Sequence, residues 1–283
     1  MNYRHAYHAG NFADVLKHAA LLAVLLHLRK KVAPFAVIDT HCGRGSYDLG
    51  GAEAAKTAEA EGGILKLMAL DAVPGVLEAY REIVRGFGEG TYPGSPLVAA
   101  RLLRAKDRLV GIEKHPEEYE ALAAALKPIK GTRAVCGDGY KQLKRLLPPP
   151  ERRGVVLIDP PFEEEDEFQQ ATQALIAGHR RFATGITLFW YPAKNVAAVA
   201  AAAGELLNAG ITSLLKVELD IGVAPGPAIE GRGPPLSAAG LLVVNPPFGF
   251  AEEMQILLPF LARNLAQGSD AGFTVQWLAG GSP

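Results

Sequence analysis

The sequence predicts an α/β domain built on a mainly parallel sheet with helices on both faces. Two observations carry that prediction. Short apolar runs recur at 34–39 (PFAVID), 108–113 (RLVGIE), 132–136 (TRAVC), 154–159 (GVVLID), 185–191 (GITLFWY) and 213–219 (SLLKVEL). Segments of helical periodicity separate most of them, at 116–127, 140–147, 165–178 and 193–208. Uninterrupted apolar runs suit strands covered on both faces, and strand–helix alternation is the sequence form of parallel crossovers.

The elements can be justified in order. Asn11 is placed to cap a first helix that carries Phe12, Val15, Leu16, Ala19 and Leu22 on one face. After the six runs above come a strand at 240–245, a helix at 251–266 and a last strand at 273–278. Residues 222–237 form a Pro/Gly-rich loop. One spacing is abnormal. A strand–helix–strand unit needs about 30 residues, yet the first strand ends at Asp39 and the next begins at Arg108. The surplus holds helical stretches at 62–71 and 74–87, one beginning near Pro96, and the turn Tyr92-Pro93-Gly94-Ser95-Pro96. Residues 48–95 are read as a small inserted helical subdomain, with 1–47 and 96–283 as the main domain. Long insertions at such points usually carry function.

Composition narrows the class. With 283 residues, 49% hydrophobic and a net charge of −1, the chain has an ordinary core and no global basic field. A nucleic-acid partner would therefore rest on local clusters: Arg29-Lys30-Lys31, Lys141/Lys144/Arg145, Arg152-Arg153 or Arg180-Arg181. Two cysteines, Cys42 and Cys136, support neither a disulfide framework nor a metal cluster, so no metal is expected. The longest apolar run, AALLAVLLHL at 19–28, falls short of the roughly 20 residues of a spanning helix. A soluble, cytoplasmic protein that works as a monomer is expected.

Ligands of open parallel sheets bind beyond the carboxyl ends of the strands. The first strand exits as Asp39-Thr40-His41-Cys42-Gly43-Arg44-Gly45, where two glycines allow a tight turn. The second ends on Glu113, placed to accept from the hydroxyls of a ribose. The third runs into Gly137-Asp138-Gly139, where the acid can serve a ligand's amino group or simply a turn. Asp48 stands where a dinucleotide fingerprint wants its third glycine, and the loop lacks a phosphate-binding lysine. An acid before Gly-x-Gly suits an ammonium better than two phosphates, which favours S-adenosylmethionine over a nicotinamide dinucleotide.

The fourth strand ends in Asp159-Pro160-Pro161-Phe162. An exocyclic aromatic amine is a weak nucleophile because its lone pair is delocalised into the ring. Asp159 and the Pro160 carbonyl can grip both of its hydrogens, and Phe162 can stack on a flipped-out base. Asp159 is thus the candidate catalytic residue. Asn245-Pro246-Pro247-Phe248 repeats the pattern three elements later, where it should lie towards the far edge of the sheet and act as a strand stop. Phe162 is expected to serve the substrate with little role in the fold, and Phe248 to pack where its strand ends.

With these residues assembled, the chain resembles the 23S ribosomal RNA adenine-2030 N6-methyltransferases of the RlmJ family. The resemblance spans nearly the whole chain. It rests on YRHAYHAGNFADVLKH (3–18), DTHCGRGSYDL (39–49), YPGSPLVAARLL (92–103), IEKHP (112–116), GDGY (137–140), DPPFE (159–163), RRFATGI (180–186), WYP (190–192) and NPPF (245–248). It implies a Rossmann-like class I methyltransferase with a helical insertion, S-adenosylmethionine as cofactor and 23S ribosomal RNA as partner. It further implies that His18, His41, Ser95, Glu113, Asp138 and Gly139 bind the cofactor and that Asp159 is catalytic. Read from residues alone, His18 is either a core histidine or a ligand contact, and Ser95 is a helix cap before Pro96. Tyr3 is either an RNA contact or a surface aromatic. Lys17 approaches cofactor or RNA phosphate, or is solvated. Two other functions share parts of this pattern: methylation of DNA adenine or a protein glutamine, and a ribosome-binding factor without catalysis.

Overall fold

In a computed structural model, residues 5–164, 166–223 and 236–281 are described; Tyr3 and most of the Pro/Gly-rich loop lie outside them. The first helix, α1 (Phe12–Arg29), begins where Asn11 accepts from the Asp14 amide. Strand β1 (Ala36–Asp39) follows, then a two-stranded antiparallel ladder of β2 (Ser46–Asp48) and β3 (Thr91–Pro93). Between these two strands run α2 (Ala52–Ala55), a 3-10 turn (Glu59–Gly62), α3 (Ile64–Met68) and α4 (Gly75–Arg85). The ladder was not foreseen from sequence, because three-residue strands carry too little periodicity to register.

The chain continues through α5 (Ser95–Ala100), β4 (Arg108–Glu113), α6 (Pro116–Leu126), β5 (Thr132–Cys136) and α7 (Gly139–Leu146). Then come β6 (Gly154–Ile158), α8 (Glu167–Arg181), β7 (Ile186–Pro192), α9 (Val196–Asn208) and β8 (Leu214–Asp220). Strand β9 (Ala238–Val244), α10 (Phe250–Leu265) and β10 (Gly272–Ala279) close the chain. The eight-stranded sheet has the order β10-β8-β9-β7-β6-β1-β4-β5. Strands β5, β4, β1, β6 and β7 are parallel neighbours, whereas β9 is antiparallel to both β7 and β8, and β10 to β8. The order reverses at β1, which lies between β4 and β6, and such a switch point is where open sheets hold ligands.

Two apolar layers sandwich the sheet. One gathers α1, α3, α4, α5 and α10 around Leu16, Leu21, Leu77, Val98 and Leu261. The other holds Leu143, Leu175, Val199 and Leu206 from α7, α8 and α9. Ile64, Leu67, Leu77 and Tyr80 belong to the first layer, so the segment between β2 and β3 is packed onto α1 and shares its core.

The second Pro-Pro-Phe segment corrects an expectation. Strand β9 is not towards an edge but next to β7, pairing Thr187 with Val244. Its direction is what separates it from the site. Being antiparallel, it delivers Asn245 to the amino end of β7, opposite the carboxyl ends where Asp159 emerges. There Asn245 donates to the carbonyls of Ala183 and Gly185, a structural tie. Phe248 does not pack at all: it is 94% exposed.

Candidate active site

The carboxyl ends of β5, β4, β1 and β6 lie side by side. Asp138, Glu113, His41 and Asp159 leave them in that order across the sheet. Asp39, the last residue of β1, is buried, and its Oδ2 accepts from Ser95 Oγ at 2.7 Å. Its Oδ1 has no partner among the described residues. Burial pushes this carboxyl up to about 6, against the lowering effect of the Ser95 hydrogen bond. Ser95 therefore does not cap its helix, as expected from Pro96. Gly94 holds the cap position, and the Ser95 hydroxyl is spent on Asp39.

Glu113 closes β4 and fastens the turn after β1. Its two oxygens accept from the amides of Gly43 and His115, each at 2.8 Å. A carboxylate has further lone pairs, so these bonds leave acceptor capacity for a ligand's hydroxyls. Asp138 caps α7 through Lys141 N at 3.1 Å, and it keeps a partly exposed side chain. The next residue has to be glycine. A Cβ at Gly139 would stand 2.3 Å from the Thr40 carbonyl, so only glycine lets α7 start this close to the β1 turn.

The two histidines differ. His41 in the turn meets Thr40 Oγ1 at 2.7 Å and sets its ring edge-on to Tyr140. The Thr40 hydroxyl donates to the Leu157 carbonyl, which makes His41 Nδ1 the donor and leaves Nε2 as an acceptor. Burial lowers the His41 pKa to about 4, so the ring is neutral near pH 7. His18 lies wholly in the core, its Nδ1 3.0 Å from the hydroxyls of both Tyr80 and Tyr92. Burial takes its pKa to about 3. The core reading of His18 accounts for Nδ1; the buried Nε2, without a partner among the described residues, is what points to a ligand.

Asp159 is not an isolated acid. Lys17 Nζ lies 2.6 Å from its Oδ2 and 2.8 Å from Asp14 Oδ1. Asp14 in turn accepts from the Gly10 amide and meets His5 Nε2, both at 2.9 Å. Burial opposes the charge on Lys17, but Asp14 and Asp159 outweigh it and hold its pKa well above the ordinary lysine value. Burial likewise opposes the Asp14 carboxylate, yet His5 and Lys17 keep it well below its usual range. Lys17 is thus an internal bridge at 4% exposure, not a solvated residue. The sequence held the signal for Asp14 and Lys17. With Asn11 they recur at a spacing of three on a helix that is otherwise apolar nearly all round.

Phe162 ends the first Pro-Pro-Phe segment with φ +53°, a left-handed conformation unusual for a bulky residue. That turn carries its ring back among Phe168, Phe189 and Trp190, at centroid distances of 4.9, 6.4 and 5.9 Å. The ring stays part-exposed. It is a packed aromatic as well as a surface one, which corrects the expectation of little structural role. Among the basic clusters, Arg153 is committed to the fold, donating to the carbonyls of Ala33 and Leu28. Arg181 likewise donates to the Leu147 carbonyl. No helix among the described residues is long and apolar enough to cross a membrane.

This donor set suits S-adenosylmethionine. Asp39 offers a buried, unpartnered oxygen to an ammonium, and Glu113 an acceptor to ribose hydroxyls. A family model described as "RsmJ: Ribosomal RNA large subunit methyltransferase D, RlmJ" matches residues 32–279. The chain belongs to this RlmJ family. It is 38% identical to "Ribosomal RNA large subunit methyltransferase J" of Escherichia coli strain K12 over 98% of this chain and 99% of that protein. The relative of the same name from Haemophilus influenzae is also 38% identical, over 98% and 99% of the two chains. Among solved structures, protein LPL1258 of Legionella pneumophila superimposes with a TM-score of 0.84 at 32% identity, covering 95% of this chain and 97% of that one. As an RlmJ-family member with a Rossmann-like class I sheet, the protein is an S-adenosylmethionine-dependent methyltransferase.

Proposed function

We propose that the protein methylates the exocyclic N6 of an adenine in 23S ribosomal RNA. The observation that carries this reading is Asp159 at the exit of β6, one strand from Asp39 and held by Lys17. Bound S-adenosylmethionine supplies an electrophilic methyl group. Asp39 would hold the ammonium of its amino-acid tail, with Ser95 orienting that carboxylate. Glu113 would take the ribose hydroxyls, and Asp138 and Gly139 the adenine end, with His41 beside them. His18 would contribute through Nε2.

Lys17 engages one oxygen of Asp159 and leaves the other to accept from the target amine. The Pro160 carbonyl is the second acceptor, on a backbone stiffened by two prolines that offer no competing N–H. Two acceptors gripping both amine hydrogens favour a tetrahedral nitrogen and aim its lone pair. Positioning of this kind accounts for most of such an acceleration. The nitrogen sheds its proton only after it has become cationic, so the site requires no strong base. Phe162 would stack on the base, and Tyr3, ahead of α1, would contact RNA. In this reading the protein acts as a monomer in the cytoplasm and uses no metal.

The test is mass-spectrometric mapping of modified nucleosides in ribosomal RNA from cells with and without the protein. One N6-methyladenosine in 23S RNA that disappears with the gene is the expected result. An unchanged RNA, with methylation of DNA adenine or of a protein glutamine instead, would replace the substrate and keep the chemistry.

A further inference from the structure

Of the WYP stretch at the end of β7, only Trp190 has entered the site so far, as a neighbour of the Phe162 ring. Strands β6 and β7 run parallel, and their last ladder pair is Ile158 with Phe189. One residue further, Asp159 leaves the end of β6 while Trp190 lies beside it, still within β7 and paired on its far side with Leu241 of β9. Alternate residues of a strand share a face. Ile158 and Phe189 belong to the layer of α7, α8 and α9, whereas Trp190 packs against the layer of α1. Asp159 faces that way too, because Lys17 of α1 reaches it. The two side chains are therefore lateral neighbours on one face.

Trp190 also stands on the substrate side of Asp159. The strands that carry Asp39, Glu113 and Asp138 all lie on the other flank of β6, and Phe162 is 5.9 Å from the indole. The indole nitrogen Nε1 is buried and has no hydrogen-bond partner among the described residues. An indole N–H is a donor only, and buried ones ordinarily find an acceptor. Leaving one unpaired is costly, so a place for an acceptor is expected beside it.

We infer that Trp190 is a specificity-determining residue that donates its indole N–H to a ring nitrogen of the target base. This rests on the adenine-N6 reading and deepens it. In adenine the exocyclic amine is flanked by N1 and N7, both acceptors. A base that places one amine hydrogen on Asp159 brings the adjoining ring nitrogen towards the next strand, where Trp190 stands. Asp159 and Trp190 then read an acceptor beside a donor. Guanine, which carries a carbonyl oxygen in place of that amine, presents an acceptor to Asp159 and fails the pair.

The test uses the full-length protein and a 23S fragment containing the mapped adenine, with adenine, 1-deazaadenine or 7-deazaadenine at the target. Trp190→Phe keeps an aromatic ring and, since Nε1 has no partner among the described residues, breaks no hydrogen bond among them. Its melting temperature and its dissociation constant for S-adenosylmethionine should stay close to wild type, while kcat/KM on the adenine fragment falls about tenfold. One of the two deaza substitutions should cost the wild type a similar factor and cost Trp190→Phe nothing further. The deaza arms on the wild type need no mutation, so a failure of both to slow it overturns the inference even if the variant folds poorly. The inference is overturned if neither deaza fragment slows the wild type, or if each slows Trp190→Phe equally. If the wild type leaves the adenine fragment unmethylated, the N6-adenine reading falls and takes this inference with it.

Discussion

Lys17 and Asp159, 142 residues apart, meet at 2.6 Å and join α1 to the exit of β6. The lysine is shared with Asp14, so one buried cation bridges two acids. Removing it leaves Asp159 without its cation and Asp14 with only His5 and the Gly10 amide. Lys17→Met is expected to destabilise the fold by about 3–5 kcal/mol, the usual cost of breaking a buried pair from one side. Urea unfolding measures this. A loss below about 1 kcal/mol would mean that the bridge is not maintained in solution.

Asp159→Asn should separate chemistry from cofactor binding. The Asp14–Lys17 pair survives, so the fold should hold. The amide can turn its NH2 towards the target amine in place of an acceptor. Calorimetry with S-adenosylmethionine should give a near-normal dissociation constant, while a methylation assay shows most transfer lost. Turnover close to wild type would remove Asp159 from the catalytic role.

Cofactor affinity should depend on pH through Asp39. Its carboxyl titrates at about 6 in the free protein, and an ammonium ligand needs it ionised. Affinity should therefore be full near pH 7 and fall as pH drops below 6, approaching about tenfold per unit. The folding linkage has the opposite sense. Because the folded pKa is raised, the free protein binds more protons than the unfolded chain between the two values, so its stability declines as pH rises through that window. Ser95→Ala removes a hydrogen bond that lowers the Asp39 pKa and should move the affinity midpoint upward. Asp39→Asn should flatten this limb of the profile. A wild-type affinity that is level from pH 5 to 7 would place the ammonium elsewhere.

Glu113→Ala should weaken S-adenosylmethionine binding more than saturated turnover. It deletes the proposed ribose acceptor and also frees the Gly43 and His115 amides that shape the loop. Hydrogen bonds to a charged acceptor are worth roughly 1.5–3 kcal/mol, or about tenfold to hundredfold in affinity. An unchanged dissociation constant would show that the ribose binds away from β4.

Phe162→Ala and Phe248→Ala should differ, and not as their shared motif suggests. Phe162 packs on three aromatic rings and is the proposed base platform. Its loss should lower stability and raise the Michaelis constant for RNA, with stacking worth about 1–3 kcal/mol per base. Phe248, 94% exposed on the opposite end of the sheet, should change stability by less than about 0.5 kcal/mol and leave turnover normal. A methylation defect confined to Phe248→Ala would reverse the assignment of the two segments.

The alternation of apolar runs and helical stretches was enough to read the sheet, its parallel character and the acids at its strand ends, because strand burial and strand exit are local properties of sequence. Asp39, Glu113, Asp138 and Asp159 were legible for that reason. The ring that Phe162 turns inward was not, since it depends on a left-handed φ at one bulky residue. Nor was the position of Asn245. Sequence order suggested a distant strand, whereas antiparallel insertion of β9 between β7 and β8 put it two strands from β6 and at the wrong end. Partners were the other gap. Ser95 with Asp39, Lys17 with Asp159 and His18 with Tyr80 and Tyr92 are contacts over 56, 142, 62 and 74 residues. By itself the sequence determined which groups can act, through residue type and the local pattern that ends a strand or starts a helix. Only the tertiary structure decided which of them share a charge, a proton or a face, because strand direction, register and helix docking are set by the packing of the whole core.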